Sequence, residues 1–303
     1  MNQTNATRVG IDWGTSNRRA YVLDDRGEIV RHHSDDQGIL QVTRGGYVSS
    51  LWELLQRLEV QEADVVMCGM VGSRNGWQEA PYLGIEQPLT TLRDAMMEVE
   101  SGLPGVRCRI VPGYAYTDPQ GMPDVMRGEE TQVLGALALS AANGWFLHPG
   151  THSKWVRVEE GCMQQFATFM TGELYALMSE HGTLSKVMAQ RESVPEAFAA
   201  GVRASEHGGF THLAFCCRAL VVTDRMPPEH TASYLSGLLI GAEVHDILRR
   251  PETRIEAPVQ VIGSPTLTSR YMSALELLNV PARAWQPDSV FHAALRALFN
   301  LEP

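Results

Sequence analysis

Asp12-Trp13-Gly14-Thr15-Ser16-Asn17 follows a short apolar run, Val9 to Ile11, and a second Gly-Thr turn, Pro149-Gly150-Thr151-His152, recurs near mid-chain. Backbone N–H groups and hydroxyls in such turns cradle phosphate, because glycine permits a close backbone approach that a side chain would block. Asp12, at a strand end beside the first turn, is placed to hold Mg²⁺, which keeps several waters and takes few protein ligands. Thr15, Ser16 and Asn17 can donate to phosphate oxygens, and Arg18 or Arg19 can neutralise charge. A hairpin entry with a capped Asp explains the first turn equally well; the second copy favours phosphate. In that copy Gly150 and Thr151 can approach the outer phosphates. Lys154 either supplies charge there or is a solvated strand residue. His152 reads as a polar wall residue, since no His or Cys stands at ligand spacing from it.

Three more segments could do chemistry. Phosphoryl transfer to an alcohol needs a carboxylate to accept the hydroxyl proton, with positive charge and Mg²⁺ on the transferring group. Glu129 and Glu130, in Met126-Arg127-Gly128-Glu129-Glu130-Thr131-Gln132, sit after a glycine at the start of an expected helix and suit that task. Acidic residues favoured by the helix dipole would look the same. Gly263-Ser264-Pro265-Thr266 follows a strand and opens a helix, where small residues let a flat adenine ring lie against backbone. Gly69-Met70-Val71-Gly72-Ser73-Arg74-Asn75-Gly76-Trp77 reads as a polar, glycine-rich substrate loop. Trp77 either stacks on a sugar or plugs the core, the latter being commoner for a tryptophan.

These residues need a scaffold, and the chain offers one twice. Each Gly-Thr turn leads into a hairpin pattern: Arg18 to Leu23 and Glu28 to His33 after the first, Ser153 to Val158 and Cys162 to Phe169 after the second. Leu51, Leu54, Leu55 and Leu58 have helical i, i+3, i+4, i+7 spacing. Asp64 to Cys68, Cys108 to Val111, Trp145 to Leu147 and Val259 to Ile262 read as strands, and Glu130 to Ala142 as a buried helix. Gly172 to Glu180, Glu196 to Arg203, Thr231 to Leu248 and a segment from Thr268 read as further helices. Gly237 and Gly241 share one face of the third, which fits close helix packing as well as function. A hinge is expected near residues 135 to 145.

Composition narrows the options. At 303 residues two domains are expected. The net charge of −10, with 25 Lys+Arg against 35 Asp+Glu, argues against bulk nucleic-acid binding, which needs a basic face. No signal-peptide pattern opens the sequence, and no apolar run approaches the roughly 18 residues of a membrane span. Cys68, Cys108, Cys162, Cys216 and Cys217 form neither a disulfide framework nor a CxxC zinc pattern; five buried thiols and a cytoplasmic location are expected.

Taken together, the segments 12–17, 69–73, 126–132 and 149–155, with Thr171-Gly172-Glu173-Leu174, Phe198-Ala199-Ala200-Gly201, the run Leu235 to Glu243 and Leu267-Thr268-Ser269-Arg270-Tyr271, resemble the 2-dehydro-3-deoxygalactonokinase family. The likeness runs from about residue 8 to the end of the chain. It implies an α/β, actin/hexokinase-type fold of two duplicated ribonuclease H-like domains, a mixed five-stranded sheet in each and a cleft between them. The domains would be 1–140 and 141–303, with the last helix able to pack back on the first. It implies ATP and Mg²⁺ as cofactors and phosphorylation of the 6-hydroxyl of 2-dehydro-3-deoxy-D-galactonate in galactonate catabolism. Asp12, Gly14, Thr15, Ser16 and Asn17 look like the first phosphate motif, Gly150, Thr151 and Lys154 like the second, and Gly263 and Ser264 like the adenosine motif. Larger sugar kinases place an aspartate base where this chain has Glu129, with Glu130 adjacent, and His148-Pro149 replaces the aspartate usual before the second turn. Asp12 would then carry the metal alone, Glu129 or Glu130 would be the base, and Met70, Gly72, Ser73, Arg18, Arg74 and Arg127 would meet the substrate, one arginine pairing with its carboxylate.

The expected partners are ATP and a small sugar acid, without nucleic acid or membrane; a homodimer is allowed. A kinase for a related 2-keto-3-deoxy sugar acid, or an exopolyphosphatase-like hydrolase on the same clamp, competes with this reading. A sugar-responsive regulator would need a DNA-binding segment, for which the chain has no spare residues.

Overall fold

The computed structural model describes residues 6–141, 143–189, 193–250 and 253–301; Ala142, the expected end of the buried helix, lies outside them. In chain order the elements are β1 (Thr7–Trp13), β2 (Arg18–Leu23), β3 (Ile29–Asp35), α1 (Tyr47–Arg57), β4 (Ala63–Cys68), β5 (Tyr82–Gly84), β6 (Met97–Val99), β7 (Val106–Ile110), β8 (Gly113–Thr117), β9 (Pro123–Met126) and α2 (Glu129–Ala138). There follow β10 (Gly144–His148), β11 (Ser153–Glu159), β12 (Cys162–Phe169), α3 (Thr171–Glu180), α4 (Gly182–Ser185), α5 (Pro195–Ala204), α6 (Phe210–Val222), α7 (Thr231–Arg249), β13 (Val259–Ile262), α8 (Pro265–Leu277), β14 (Ala282–Trp285) and α9 (Pro287–Leu298).

The first sheet has the order β3-β2-β1-β4-β7-β6 and the second β12-β11-β10-β13-β14, so five strands follow the same order in both. In the first, β2 is antiparallel to β1 and β3, while β1, β4 and β7 run parallel. In the second, β10, β13 and β14 run parallel. Glu160 and Gly161 alone join β11 to β12, both with positive φ (51° and 76°), the pair of dihedrals that a tight two-residue hairpin turn demands. The family resemblance implied five strands in each sheet; the first carries a sixth, β6, three residues long and antiparallel to β7. So short an edge strand leaves no alternation to read. A separate three-stranded sheet, β5-β8-β9, was also illegible for that reason.

The central strands are nearly continuous apolar runs because both faces are covered. Val9, Ile11, Trp13, Val65, Met67 and Ile110 pack with Leu51, Leu54 and Leu55 of α1. Trp145, Leu147, Val259 and Val261 pack with Trp155, Ile240, Val244 and Tyr271. The two inner glycines of α7 serve packing: a Cβ on Gly237 would overlap Phe198 O of α5, and one on Gly241 would overlap Ser205 Oγ. The helix expected from Thr268 starts earlier, at Pro265, whose fixed φ suits the first helical position.

Two compact units emerge. One comprises Met1–Ala142, Val158–Phe166 and Pro287–Pro303; the other comprises Asn143–Arg157 and Ala167–Gln286. In the first, α9 packs along α2 so closely that a Cβ on Gly135 would overlap Val290 O.

Candidate active site

In the first unit, Asp12 lies at the end of β1, level with Cys68 of β4 and opposite Arg19 of β2. Its Oδ2 accepts from Arg19 Nη2 at 2.6 Å. Arg19 also lies 3.6 Å from Asp288 of α9, which accepts from the Tyr21 hydroxyl at 2.8 Å. Arg18 points to the opposite face, as strand alternation requires. Its Nε and Nη2 donate to the two carboxylate oxygens of Asp35 (3.2 and 2.7 Å), and Nη1 donates to Ser50 O and Oγ (3.1 and 2.8 Å). It also lies over the Trp13 ring. Arg18 is therefore committed inside the protein, which corrects its expected place on the substrate.

The Gly14–Asn17 turn is fixed through its carbonyls. Gly14 O, Thr15 O and Ser16 O accept from the N–H groups of Ile39, Leu40 and Gly38, and Asn17 O accepts from Gly14 N–H at 2.9 Å. Thr15, Ser16 and Asn17 are exposed, and no described residue accepts from their N–H groups. A Cβ on Gly38 would overlap the backbone of Thr15 and Ser16. Gly38 is thus part of the turn's support, and no turn or helix signal around it had marked it.

Two glycines bring the glutamate pair to the same end of the sheet. A Cβ on Gly69 would lie 3.0 Å from Trp13 O and 3.3 Å from Asp12 Oδ1, and one on Gly128 would lie 3.2 Å from Gly69 Cα. Both have positive φ (86° and 107°), a region that favours glycine. At the N-terminus of α2, the two glutamates then part company. Glu129 is half-buried, its Oε2 accepting from Arg127 N–H at 3.2 Å. Glu130 has no exposed surface; its oxygens accept from Gly128 N–H (2.9 and 2.7 Å) and the Thr131 hydroxyl (3.0 Å). Burial, reinforced by the Glu129 charge, pushes the Glu130 carboxyl up to about 7. The Glu130 oxygens are thus taken by donors of their own loop, while Glu129 keeps an accessible edge.

Of the expected substrate residues, Arg127, Gly72 and Ser73 are buried close together: a Cβ on Gly72 would lie 3.0 Å from Arg127 Nη1, and Ser73 is next in the chain. Arg127 Nη2 donates to Ala80 O at 2.7 Å, and the guanidinium stands 4.4 Å from the Tyr82 ring centroid. Met70 is half-buried and Arg74 is exposed. Trp77 stacks on Tyr47 (6.0 Å, 7°) against the core.

In the second unit, the Gly150–Thr151 turn is anchored by side chains. Glu243 of α7 is buried and accepts from Ser153 Oγ (2.6 Å), Trp155 Nε1 (2.8 Å), Tyr271 OH (2.7 Å) and Thr171 Oγ1. Burial raises its pKa, opposed by those donors. Lys154 is buried, with Nζ donating to Thr168 Oγ1 at 3.0 Å, so it is not a solvated strand residue. His152 Nε2 lies 2.6 Å from Glu173 Oε2 at the surface. A Cβ on Gly172 would overlap Gly150 O, and one on Gly263 would lie 3.1 Å from Pro149 Cδ. Gly150, Thr151, Gly172 and Gly263 are thus neighbours, and Ser264 is exposed beside them at the start of α8. His148, ahead of the turn, is buried, and that burial, with Lys154 nearby, lowers its pKa to about 3.

A cavity of about 530 Å³ opens between α5, α7 and α8, lined by Phe198, Ser233, Ser236, Ser269, Arg270 and Ser273 among others. Arg270 Nη1 donates to Ser236 Oγ at 3.4 Å. An aromatic wall, an arginine and small hydroxyls suit a flat, polar ring. Of the thiols, Cys68, Cys108 and Cys217 are buried while Cys162 and Cys216 are half-buried, so the expectation of five buried thiols holds for three.

No group of three His, Cys, Asp or Glu side chains could cage a metal among the described residues. The donors at the first turn, one carboxylate beside exposed hydroxyls and N–H groups, instead fit a Mg²⁺ that takes most of its ligands from water and phosphate.

The duplicated strand order is that of the actin/hexokinase-type fold. The 2-keto-3-deoxy-galactonokinase family profile matches residues 12–298. The chain is 31% identical over 294 residues to 2-dehydro-3-deoxygalactonokinase of Escherichia coli (strain K12), covering 97% of each. It is 33% identical over 299 residues to DgoK1 of Rhizobium meliloti (strain 1021), which carries the same enzyme name, covering 95% of each. A crystal structure from Sinorhizobium meliloti, again with that enzyme name, superposes with a TM-score of 0.87 at 32% identity, covering 97% of this chain and 96% of that one. With the match spanning both Gly-Thr turns and the glutamate pair, the chain belongs to the 2-keto-3-deoxy-galactonokinase family.

Proposed function

We propose that the chain phosphorylates the 6-hydroxyl of 2-dehydro-3-deoxy-D-galactonate with ATP and Mg²⁺, Glu129 serving as the general base. The observation that carries this reading is the placement of Glu129: half-buried, at the N-terminus of α2, held by Gly128 against Gly69 and so at the Asp12 end of the first sheet. Glu129 accepts the proton of the attacking hydroxyl. The N–H groups of Thr15, Ser16 and Asn17 have no protein acceptor among the described residues and are free to bind phosphate oxygens; Gly150 and Thr151 are their counterparts in the second unit. Asp12 would hold Mg²⁺, chiefly through water, and the ion would supply positive charge on the transferring phosphoryl group. Arg19, paired to Asp12, orients that carboxylate. The nucleoside lies toward Gly263, Ser264 and the cavity lined by Arg270 and Ser236. Among the described residues no helix is long and apolar enough to cross a membrane, and the free cysteines fit a reducing compartment, the cytoplasm.

Coupled ADP release with ATP–Mg²⁺ tests the reading, using 2-dehydro-3-deoxygalactonate and its gluconate epimer. Turnover restricted to the galactonate acid supports the reaction and the epimer together. Equal rates would retain the kinase and remove the epimer preference. ADP release without any acid would replace the kinase by a hydrolase.

A further inference from the structure

Arg127 is 8% exposed, and its Nε and Nη1 have no hydrogen-bond partner. A guanidinium cannot shed its proton to escape burial. A buried cation without a carboxylate is costly to the folded chain, and such groups are normally paired. Among the described residues no ion pair answers it, and Glu129 bonds the Arg127 backbone N–H. Instead the group is held in place, Nη2 donating to Ala80 O and the plane resting near the Tyr82 ring. Gly72 has no side chain to cover Nη1. Ser73, the next residue, is 9% exposed and its Oγ also lacks a partner. A fixed positive charge and a spare hydroxyl thus lie on one loop, buried and uncommitted.

From this we infer that Arg127, with Ser73, binds the C1 carboxylate of the acceptor and so makes the enzyme select an acid over a neutral sugar. The inference rests on the sugar-acid kinase reading above and settles which arginine reads the acid. Arg18 is spent on Asp35 and Ser50, and Arg74 is exposed where water screens it. The pocket pays for selectivity with stability, since the unpaired charge is balanced only when the acid arrives.

The test compares kcat/KM for 2-dehydro-3-deoxygalactonate and for its uncharged C1 amide, in the wild-type chain, R127M, R127K and S73A, with ATP KM and Tm recorded for each. Wild type should favour the acid by about 100-fold or more, since a site built around a charge rejects the neutral analogue strongly. R127M should lose about 100-fold or more on the acid and almost nothing on the amide, with unchanged ATP KM and a Tm no lower than wild type. R127K, which keeps the charge without the fork, and S73A should each raise KM for the acid about tenfold. Equal losses on acid and amide would make Arg127 structural and overturn the inference. A raised ATP KM with an unchanged acid-to-amide ratio would assign the pocket to a nucleotide phosphate and overturn it too. Should R127M not fold, an unchanged acid-to-amide ratio in R127K overturns the inference. Wild-type inactivity on the acid would instead fail the parent reading, and the inference with it.

Discussion

The two Gly-Thr turns sit on sheets of the same strand order, yet they are held by opposite means. The first is held through backbone: its carbonyls are taken by the N–H groups of Gly38, Ile39 and Leu40, and its carboxylate, Asp12, stays partly accessible beside Arg19. The second is held through side chains that converge on Glu243, a carboxylate sealed beneath the turn, with the buried, neutral His148 ahead of it. The same pair of elements therefore serves two ends. Where a carboxylate remains at the surface the turn can take part in chemistry; where it is buried and saturated with donors the turn can only be positioned. In the proposed reaction the chemical step accordingly belongs to the first unit, and the second supplies a rigid seat.

The largest effect that would break this division is loss of the base. E129Q should lower kcat by about 10² to 10⁴ while leaving the KM for ATP within about twofold, in the coupled ADP assay. Near-normal turnover would move the base role to Glu130 or elsewhere. Next, E243Q replaces an all-acceptor group by an amide whose NH₂ faces donors, so about 2–4 kcal/mol of stability should go, with a raised ATP KM and little change in the rate at saturation. Denaturant unfolding and ATP titration would show it, and a large fall in kcat alone would give Glu243 a chemical role.

Smaller changes sharpen the contrast between backbone and side-chain anchoring. G38A and G172A each place a methyl into the backbone of one turn and should cost about 1–3 kcal/mol, weakening ATP binding in both units. In G150A the new methyl would lie 3.3 Å from His152 O, a tight contact but far less severe than the overlaps at Gly38 and Gly172, so its stability should stay closer to wild type. Thermal melts of the three variants would rank them.

The mildest effect is a pH dependence. The Glu130 pKa is raised to about 7 from an unfolded value near 4.5, so the folded chain binds the extra proton and stability falls as pH climbs from about 4.5 to 7. His148 works the other way: with its folded pKa lowered to about 3, stability falls as pH drops below about 6.5. Over the shared range the two slopes oppose each other, near 1 kcal/mol per pH unit each. E130Q should unmask the histidine, so that stability relative to wild type rises between pH 5 and 7. A parallel pair of pH–stability curves would show that Glu130 is already ionised.

Much of this was legible because turns and strands leave strong local marks. The two Gly-Thr turns, the hairpins after them and the strand Val259–Ile262 declared themselves through glycine placement and apolar runs. Strand alternation even hinted that Arg18 and Arg19 face opposite ways, but only the fold could say which one meets Asp12. Glu129 and Glu130 were indistinguishable in the sequence because their fates depend on the rotation of α2, set by Gly128 against Gly69 and by α9 behind it. Gly38 went unmarked, and Glu243 was marked only as part of a family-like run, for a related reason: each acts on a turn distant in the chain. Arg127 was one of three candidate arginines, and only its two buried nitrogens without a hydrogen-bond partner single it out.

The last helix has a consequence for how the chain comes into being. Residues 287–298 fit against α2, through Gly135 and Val290, and reach back to the first hairpin, where His292 bonds Gly27 O and Arg296 bonds Arg26 O. During synthesis, the helix that carries Glu129 is made before the second unit, and its partner α9 only after it. The first unit to begin is therefore not the first that can close, and a nascent chain must have made the second before the phosphate turn and the base share a finished fold.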